Sequence, residues 1–280
     1  MDSKESHKVY SITRFNLLTS LLSILNTNDT EDTNFHIAKY ILEHFQELDR
    51  LSIYDLAEEC FVSRSSIQRF VKTIGYDSFT SLKNTVSEVA AHQKTILSYT
   101  DYTHYAEHLV SSLDDMAKDI IDTIYSSRWA EEFLVRIHDT KNVVVLTAED
   151  SASSIRSLQQ DLMSVGKLIR VVTNSTSSLS ILQDLTPDDL LVTCSASGNF
   201  AIAIREELKD IKAFKALVTF NRSSLFENDY SLIVYPSKVM RLNSREIQSA
   251  RNVYTRYALS IFFDMFFHGY YRRYISPYQK

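Results

Sequence analysis

The sequence predicts an all-α N-terminal helix-turn-helix domain followed by an α/β C-terminal domain with a doubly wound parallel sheet. Two observations carry this. Residues 51–76, LSIYDLAEECFVSRSSIQRFVKTIGY, hold two short helical patterns on either side of a tight turn. From Lys141 onward the texture changes to short β-branched apolar runs alternating with helical stretches, which is the pattern of β-α repeats. At 280 residues the chain is long enough for two cores, and the expected boundaries are 1–80 for the helical domain, 81–125 for a helical connector and 126–280 for the α/β domain.

The first domain opens with a leucine-rich helical pattern over Ile12–Leu25, a polar loop over Asn26–Asp32, and a second helix over Thr33–Leu48 whose stripe is Ile37, Tyr40, Ile41, Phe45 and Leu48. Ser52 then caps a helix that buries Ile53, Leu56 and Ala57 and ends near Cys60. After the turn Phe61-Val62, Ser63 caps a second helix with Ile67, Phe70, Val71 and Ile74 at helical spacing, and Gly75 suits the left-handed position after its end. The opposite face presents Arg64, Ser65, Ser66, Gln68, Arg69 and Lys72, with no carboxylate among them. Together with Ser63 these are the groups a major-groove helix needs. Guanidinium pairs with guanine edges or phosphate, glutamine with adenine, and hydroxyls with phosphate. The net charge of −5 excludes indiscriminate coating of nucleic acid, so double-stranded DNA must be met by a local patch. From Ser63 to Lys83 the charges are Arg64, Arg69, Lys72 and Lys83 against Asp77 alone.

The connector carries Leu82, Val86, Val89 and Ile96, a tyrosine-rich SYTDYTHY, and the helical pattern Leu109, Leu113, Met116, Ile120, Ile121, Ile124. His104 and His108 stand at i, i+4 without a third ligand, so neither a metal nor a cofactor is expected. Cys60 and Cys194 lie in apolar sequence as packed thiols. No run of about eighteen apolar residues and no signal-peptide core occurs, so no membrane partner is expected and the location is cytoplasmic.

In the second domain Asn142–Thr147, Leu168–Asn174, Asp189–Ser195, Phe214–Asn221 and Leu232–Tyr235 read as buried strands. Ser151–Val165, Ser177–Asp184 and Ala201–Lys209 have the length of crossover helices. Ser244–Phe267 is helical and rich in aromatics (Tyr254, Tyr257, Phe262, Phe263, Phe266, Phe267), more than one small domain is expected to bury, which predicts a homodimer or higher homo-oligomer. Ligands of such sheets bind beyond the carboxyl ends of the strands. There Ser195, Ser197, Gly198 and Asn199 enter a helix and offer hydroxyls and amides to an anion, while Glu149 and Ser151 follow the first strand.

The segment Leu56–Lys83, LAEECFVSRSSIQRFVKTIGYDSFTSLK, resembles the helix-turn-helix of RpiR-family transcriptional regulators, down to the Gly75-Tyr76 stop and Phe79. The strand–SxSG–helix loop at Ser195–Gly198, following the strand–Ser loop at Ser151, is similar to the SIS (sugar isomerase) domain. The resemblance implies a regulator of carbohydrate-metabolism genes whose SIS-like domain dimerises and binds a phosphorylated sugar. Two departures stand out. The first family loop, GxGxS, reads Thr147-Ala148-Glu149-Asp150-Ser151 here, which replaces both glycines and brings carboxylates toward the phosphate position. The second, SxSGxT, has Phe200 in place of threonine. A sugar-phosphate isomerase would need a base, and Glu149, Glu206 and Glu246 are the nominal carboxylates, yet none stands in a motif that ties it to a site. A regulator, not an enzyme, is the expectation, with a SIS-like domain serving only to dimerise as its variant.

Overall fold

Contacts along the chain divide the protein into two units, Met1–Ser98 and Tyr99–Lys280. The computed structural model describes residues 17–86, 104–173, 179–239 and 253–276. In the first unit α1 is Leu17–Thr27, α2 Thr33–Glu43, α3 Ile53–Glu59, α4 Arg64–Thr73, and a further helix, α5, occupies residues 79–86. Leu21, Ile37, Ile41, Leu56, Ile67 and Phe70 meet in one buried core, so the predicted stripes converge. Residues 12–16 of the first expected helix lie outside the described residues. Helix α2 stops at Glu43, short of Leu48, with His44 (φ −108°, ψ 23°) leaving the helical conformation; its ring stacks on Tyr40 at 4.1 Å and its Nδ1 sits 3.0 Å from the Tyr40 carbonyl. Phe45 and Leu48 remain buried through the turns that follow.

The ends of α3 and α4 close in the same way with different residues. Val62 N–H donates to Ala57 O at 2.9 Å and Phe61 N–H to Glu58 O at 3.0 Å; Tyr76 N–H donates to Val71 O and Gly75 N–H to Lys72 O, both at 2.9 Å. Each closure needs one left-handed residue. Gly75 (φ 89°) meets that need without strain, whereas Phe61 (φ 53°) meets it with its side chain 96% exposed.

The expected connector, 81–125, has described residues in both units. Leu82 and Val86 belong to the first core, while Met116 and Ile120 belong to the second. Of its tyrosine-rich stretch, residues 98–103 lie outside the described residues.

The second unit runs α6 Tyr105–Ser126, α7 Arg128–Asp139, β1 Val143–Thr147, α8 Ala152–Ser164, β2 Arg170–Thr173, β3 Leu190–Cys194, α9 Asn199–Ala203, α10 Arg205–Leu208, β4 Phe214–Val218, β5 Leu232–Val234 and α11 Val253–Tyr274. All strands pair parallel in the order β2-β1-β3-β4-β5. Val143, Val145, Leu190, Val192, Ala216 and Val218 share a core with α6, α8 and α11. Alternation puts Val144, Leu146, Leu191 and Leu217 on the other face, and they are equally buried. A sheet covered on both sides explains the continuous apolar strands.

Three expectations change. Ser177–Asp184 is not a full crossover helix: its described part is one 3₁₀ turn, Leu179–Leu182, and 177–178 lie outside the described residues. Ala201–Lys209 breaks at Ile204 (φ −99°, ψ 7°) into α9 and α10, with Phe200, Ile204 and Leu208 all buried. The described part of the aromatic helix, Val253–Tyr274, runs past the expected end at Phe267, and residues 244–252 lie outside the described residues. Its Phe262, Phe263 and Phe266 are buried within the unit, with Phe133 5.0 Å from Phe266 and Trp129 6.1 Å from Phe262. Tyr257 and Phe267 pack partly against the same core, and the Tyr254 side chain lies outside the described residues. Packing by α6, α7 and α8 covers Phe262, Phe263 and Phe266, each contributing roughly 1.5–3 kcal/mol.

Candidate functional site

The helix-turn-helix is fixed from both ends. Ser52 Oγ accepts from Tyr54 and Asp55 N–H at 3.2 Å, and the Asp55 carboxylate accepts from Ser52 N–H at 2.7 Å, a reciprocal cap whose acidic half sequence reasoning had passed over. The Ser52 N–H holds the Asp55 carboxyl below its ordinary value. Ser63 Oγ accepts from Ser66 N–H at 3.1 Å and lies within hydrogen-bond distance of the Ser65 and Ser66 hydroxyls, at 2.7 and 2.9 Å. Thus Ser63 is a cap before it is a contact. Arg64, Ser65, Gln68, Arg69 and Lys72 are exposed along one side of α4, and Ser66 is half-buried, 3.4 Å from Arg69 Nη2. Lys83 turns away from this set, its Nζ donating to Leu51 O at 2.8 Å. Arg64 has a neighbour the sequence did not suggest: its Nη1 donates to Tyr54 Oη at 2.9 Å. Both Cys60, whose thiol burial pushes up to about 11, and Cys194, raised by full burial, are free cysteines.

In the second unit the order 2-1-3-4-5 reverses direction between β1 and β3, the place where sheets of this kind take ligands beyond the strand ends. Thr147 and Cys194, the last residues of β1 and β3, are paired there, with Thr147 Oγ1 donating to Cys194 O at 3.1 Å. The two loops singled out in the sequence, 148–151 and 195–199, thus leave adjacent strands at one edge.

Loop 195–199 is closed on itself. Buried Ser195 Oγ accepts from Ala201 N–H and Ser197 Oγ from Asn199 N–H, both at 3.3 Å, so the two hydroxyls cap the first turn of α9. Gly198 N–H donates to Ser195 O at 2.9 Å, and Asn221 Nδ2 donates to Ser197 O at 2.9 Å. Gly198 is left-handed (φ 79°), and a Cβ there would meet Asn221 Cβ at 2.8 Å and Phe226 Cζ at 2.9 Å. Asn221 was not foreseen, since its role depends on the chain that follows β4. In the first loop Ser151 N–H donates to Ala148 O at 3.1 Å. Glu149, expected to oppose an anion, is ion-paired with Arg156 of α8 at 3.1 Å. That cation offsets the charge which replaced the glycines.

Residues 16–93 match the helix-turn-helix domain of the rpiR family. The N-terminal unit is an RpiR-family helix-turn-helix domain. The chain is 25% identical over 180 residues to the uncharacterized HTH-type transcriptional regulator YfhH of Escherichia coli strain K12, covering 61% of this chain and 62% of that one. It is likewise 25% identical over 185 residues to the HTH-type transcriptional regulator GlvR of Bacillus subtilis strain 168, covering 65% and 66%. Each match spans less than two thirds of the relative. Among solved structures, the Vibrio vulnificus NanR protein complexed with ManNAc-6P aligns over 92% of both chains at 16% identity, with a TM-score of 0.47.

Proposed function

We propose that this protein is a sequence-specific DNA-binding transcriptional regulator of carbohydrate-metabolism genes, acting as a dimer, with a phosphorylated sugar as effector of the parallel-sheet unit. The observation that carries the reading is α4: its core side packs into the first unit, and its other side presents two arginines, a lysine and a glutamine. Such a set supplies phosphate anchors and base-edge donors at once. A single helix-turn-helix buries little DNA, so two copies on half-sites about one helical turn apart give useful specificity. The effector reading is supported by the SxSG loop lying at the switch of strand order. Catalysis is disfavoured by the described carboxylates: Glu206 is exposed and paired with Lys209 at 2.6 Å, and Glu149 is held by Arg156, so neither is a poised base. Glu246 lies outside the described residues.

Binding-site selection with the purified protein, with and without a panel of sugar phosphates, tests the whole reading, and a coupled interconversion assay tests the enzymatic one. Recovery of no enriched motif would overturn the regulator reading. Calorimetry with hexose, pentose and amino-sugar phosphates tests the effector. Arg156→Ala should weaken binding by about two- to fivefold, and Glu149→Gly should strengthen it, because the first unmasks and the second removes a carboxylate near the anion. If no phosphosugar binds wild type and neither variant alters that, the unit serves dimerisation alone.

A further inference from the structure

We infer that Tyr54 positions Arg64 for a DNA backbone phosphate, so that a residue of the first helix shares a contact attributed to the second. The inference rests on the DNA-binding reading. Tyr54 is the second residue of α3 and is 62% exposed, so it does no core work there; Leu56 and Ala57 are the buried residues of that helix. Its backbone is nonetheless fixed, because Tyr54 N–H donates to Ser52 Oγ at 3.2 Å. From this anchored place the side chain holds Arg64 twice. Arg64 Nη1 donates to the Tyr54 hydroxyl at 2.9 Å, and Arg64 Cζ lies 4.7 Å from the ring centroid, within cation–π range.

An exposed arginine ordinarily samples many rotamers, and ordering it on binding opposes association. Here two interactions restrict it beforehand. One of its five N–H donors is engaged, leaving the others for a ligand, and the tyrosine oxygen that accepts from it still carries its own proton to donate. Two neighbouring donors, one of them charged, suit the oxygens of a single phosphate. The direction of the restraint also separates Arg64 from its neighbours on α4. It is tied sideways to α3, whereas Gln68, Arg69 and Lys72 lie one to two turns further along, and Arg69 Nη2 sits 3.4 Å from Ser66 Oγ of its own helix. Arg64 therefore anchors the domain without reading sequence, and base reading falls to the later residues.

The test uses the full chain, the duplex recovered by selection and a scrambled duplex, across a salt series. Arg64→Ala should weaken both duplexes alike and lower the slope of log affinity against log salt by about one. Tyr54→Ala should weaken both by about two- to tenfold at unchanged thermal midpoint, and Tyr54→Phe, which keeps the ring and loses the hydroxyl, should fall between it and wild type. In an Arg64→Ala background Tyr54→Ala should cost less than in wild type, only the hydroxyl's own contact being left to lose. Equal losses from Tyr54→Ala in both backgrounds would overturn the positioning role, and a loss from Arg64→Ala confined to the selected duplex would overturn the phosphate assignment. Wild type that prefers no duplex at any salt would overturn the DNA-binding reading itself and this inference with it.

Discussion

Two serine-rich stretches lead into helices in this chain, and they differ in what closes them. At Ser63–Ser66 the cap is made locally, among hydroxyls and an amide within three residues, and the long side chains that follow on α4 stay exposed. At Ser195–Ser197 the hydroxyls are turned onto the amides of Asn199 and Ala201, and the loop is braced by Asn221 from beyond β4. The same residue type is thus a frame in one place and a filled turn in the other. A polar side chain is available to a partner only where the local caps leave it so.

The sharpest way to break this contrast is Gly198→Ala. A Cβ at 2.8 Å from Asn221 and a left-handed backbone together should destabilise the second unit by about 2–4 kcal/mol. Trp129, the single tryptophan, lies in that unit, so its fluorescence in a denaturant series reports the loss. An unchanged midpoint would mean that the Asn221 brace yields freely.

On the other side of the comparison, Arg69→Ala should lower affinity for the selected duplex by about 1–3 kcal/mol while the thermal midpoint stays put. A binding isotherm identical to wild type would show that the exposed face of α4 is not the reading face.

Ser52→Ala should cost the first unit about 1 kcal/mol, visible in helical circular dichroism. The Asp55 half of that cap depends on pH. Its folded pKa lies below the unfolded one, so its contribution is complete above the ordinary carboxylate range and fades as pH falls through the lowered folded value. Asp55→Asn should remove that part of the acid sensitivity, and an identical acid profile would contradict the assignment.

The smallest effect expected is a gain. Phe61→Gly replaces a strained, 96% exposed aromatic by the residue that Gly75 already provides at the equivalent closure, and should stabilise the first unit by up to about 1 kcal/mol. A loss of stability would reveal packing by the Phe61 ring.

Much of this was legible in the sequence where neighbours decide the outcome. Ser52, Ser63 and Gly75 fixed helix ends through partners within five residues, and the period of Ile67, Phe70, Val71 and Ile74 assigned the faces of α4. The strands were legible because both faces are covered, which makes their apolar runs continuous. What escaped depends on distant chain. Tyr54 reaches Arg64 across a turn, Arg156 reaches Glu149 from a helix, and Asn221 reaches Ser197 from the chain that follows β4. The aromatic helix follows the same rule: its composition was visible, but not the three helices that pack against its buried phenylalanines.

The packing of α11 on α6 also sets an order in time. The first unit completes its core from residues 17–86, through contacts short in sequence, so it can fold while synthesis continues. The second cannot, because β1 pairs with β3 across an intervening strand and α6 packs against Val253–Tyr274. On the ribosome a folded helix-turn-helix therefore precedes the unit proposed to govern it. A chain interrupted before α11 would release that DNA-reading unit joined to an unfinished sheet, with the apolar surface α11 should cover left open to water and to aggregation.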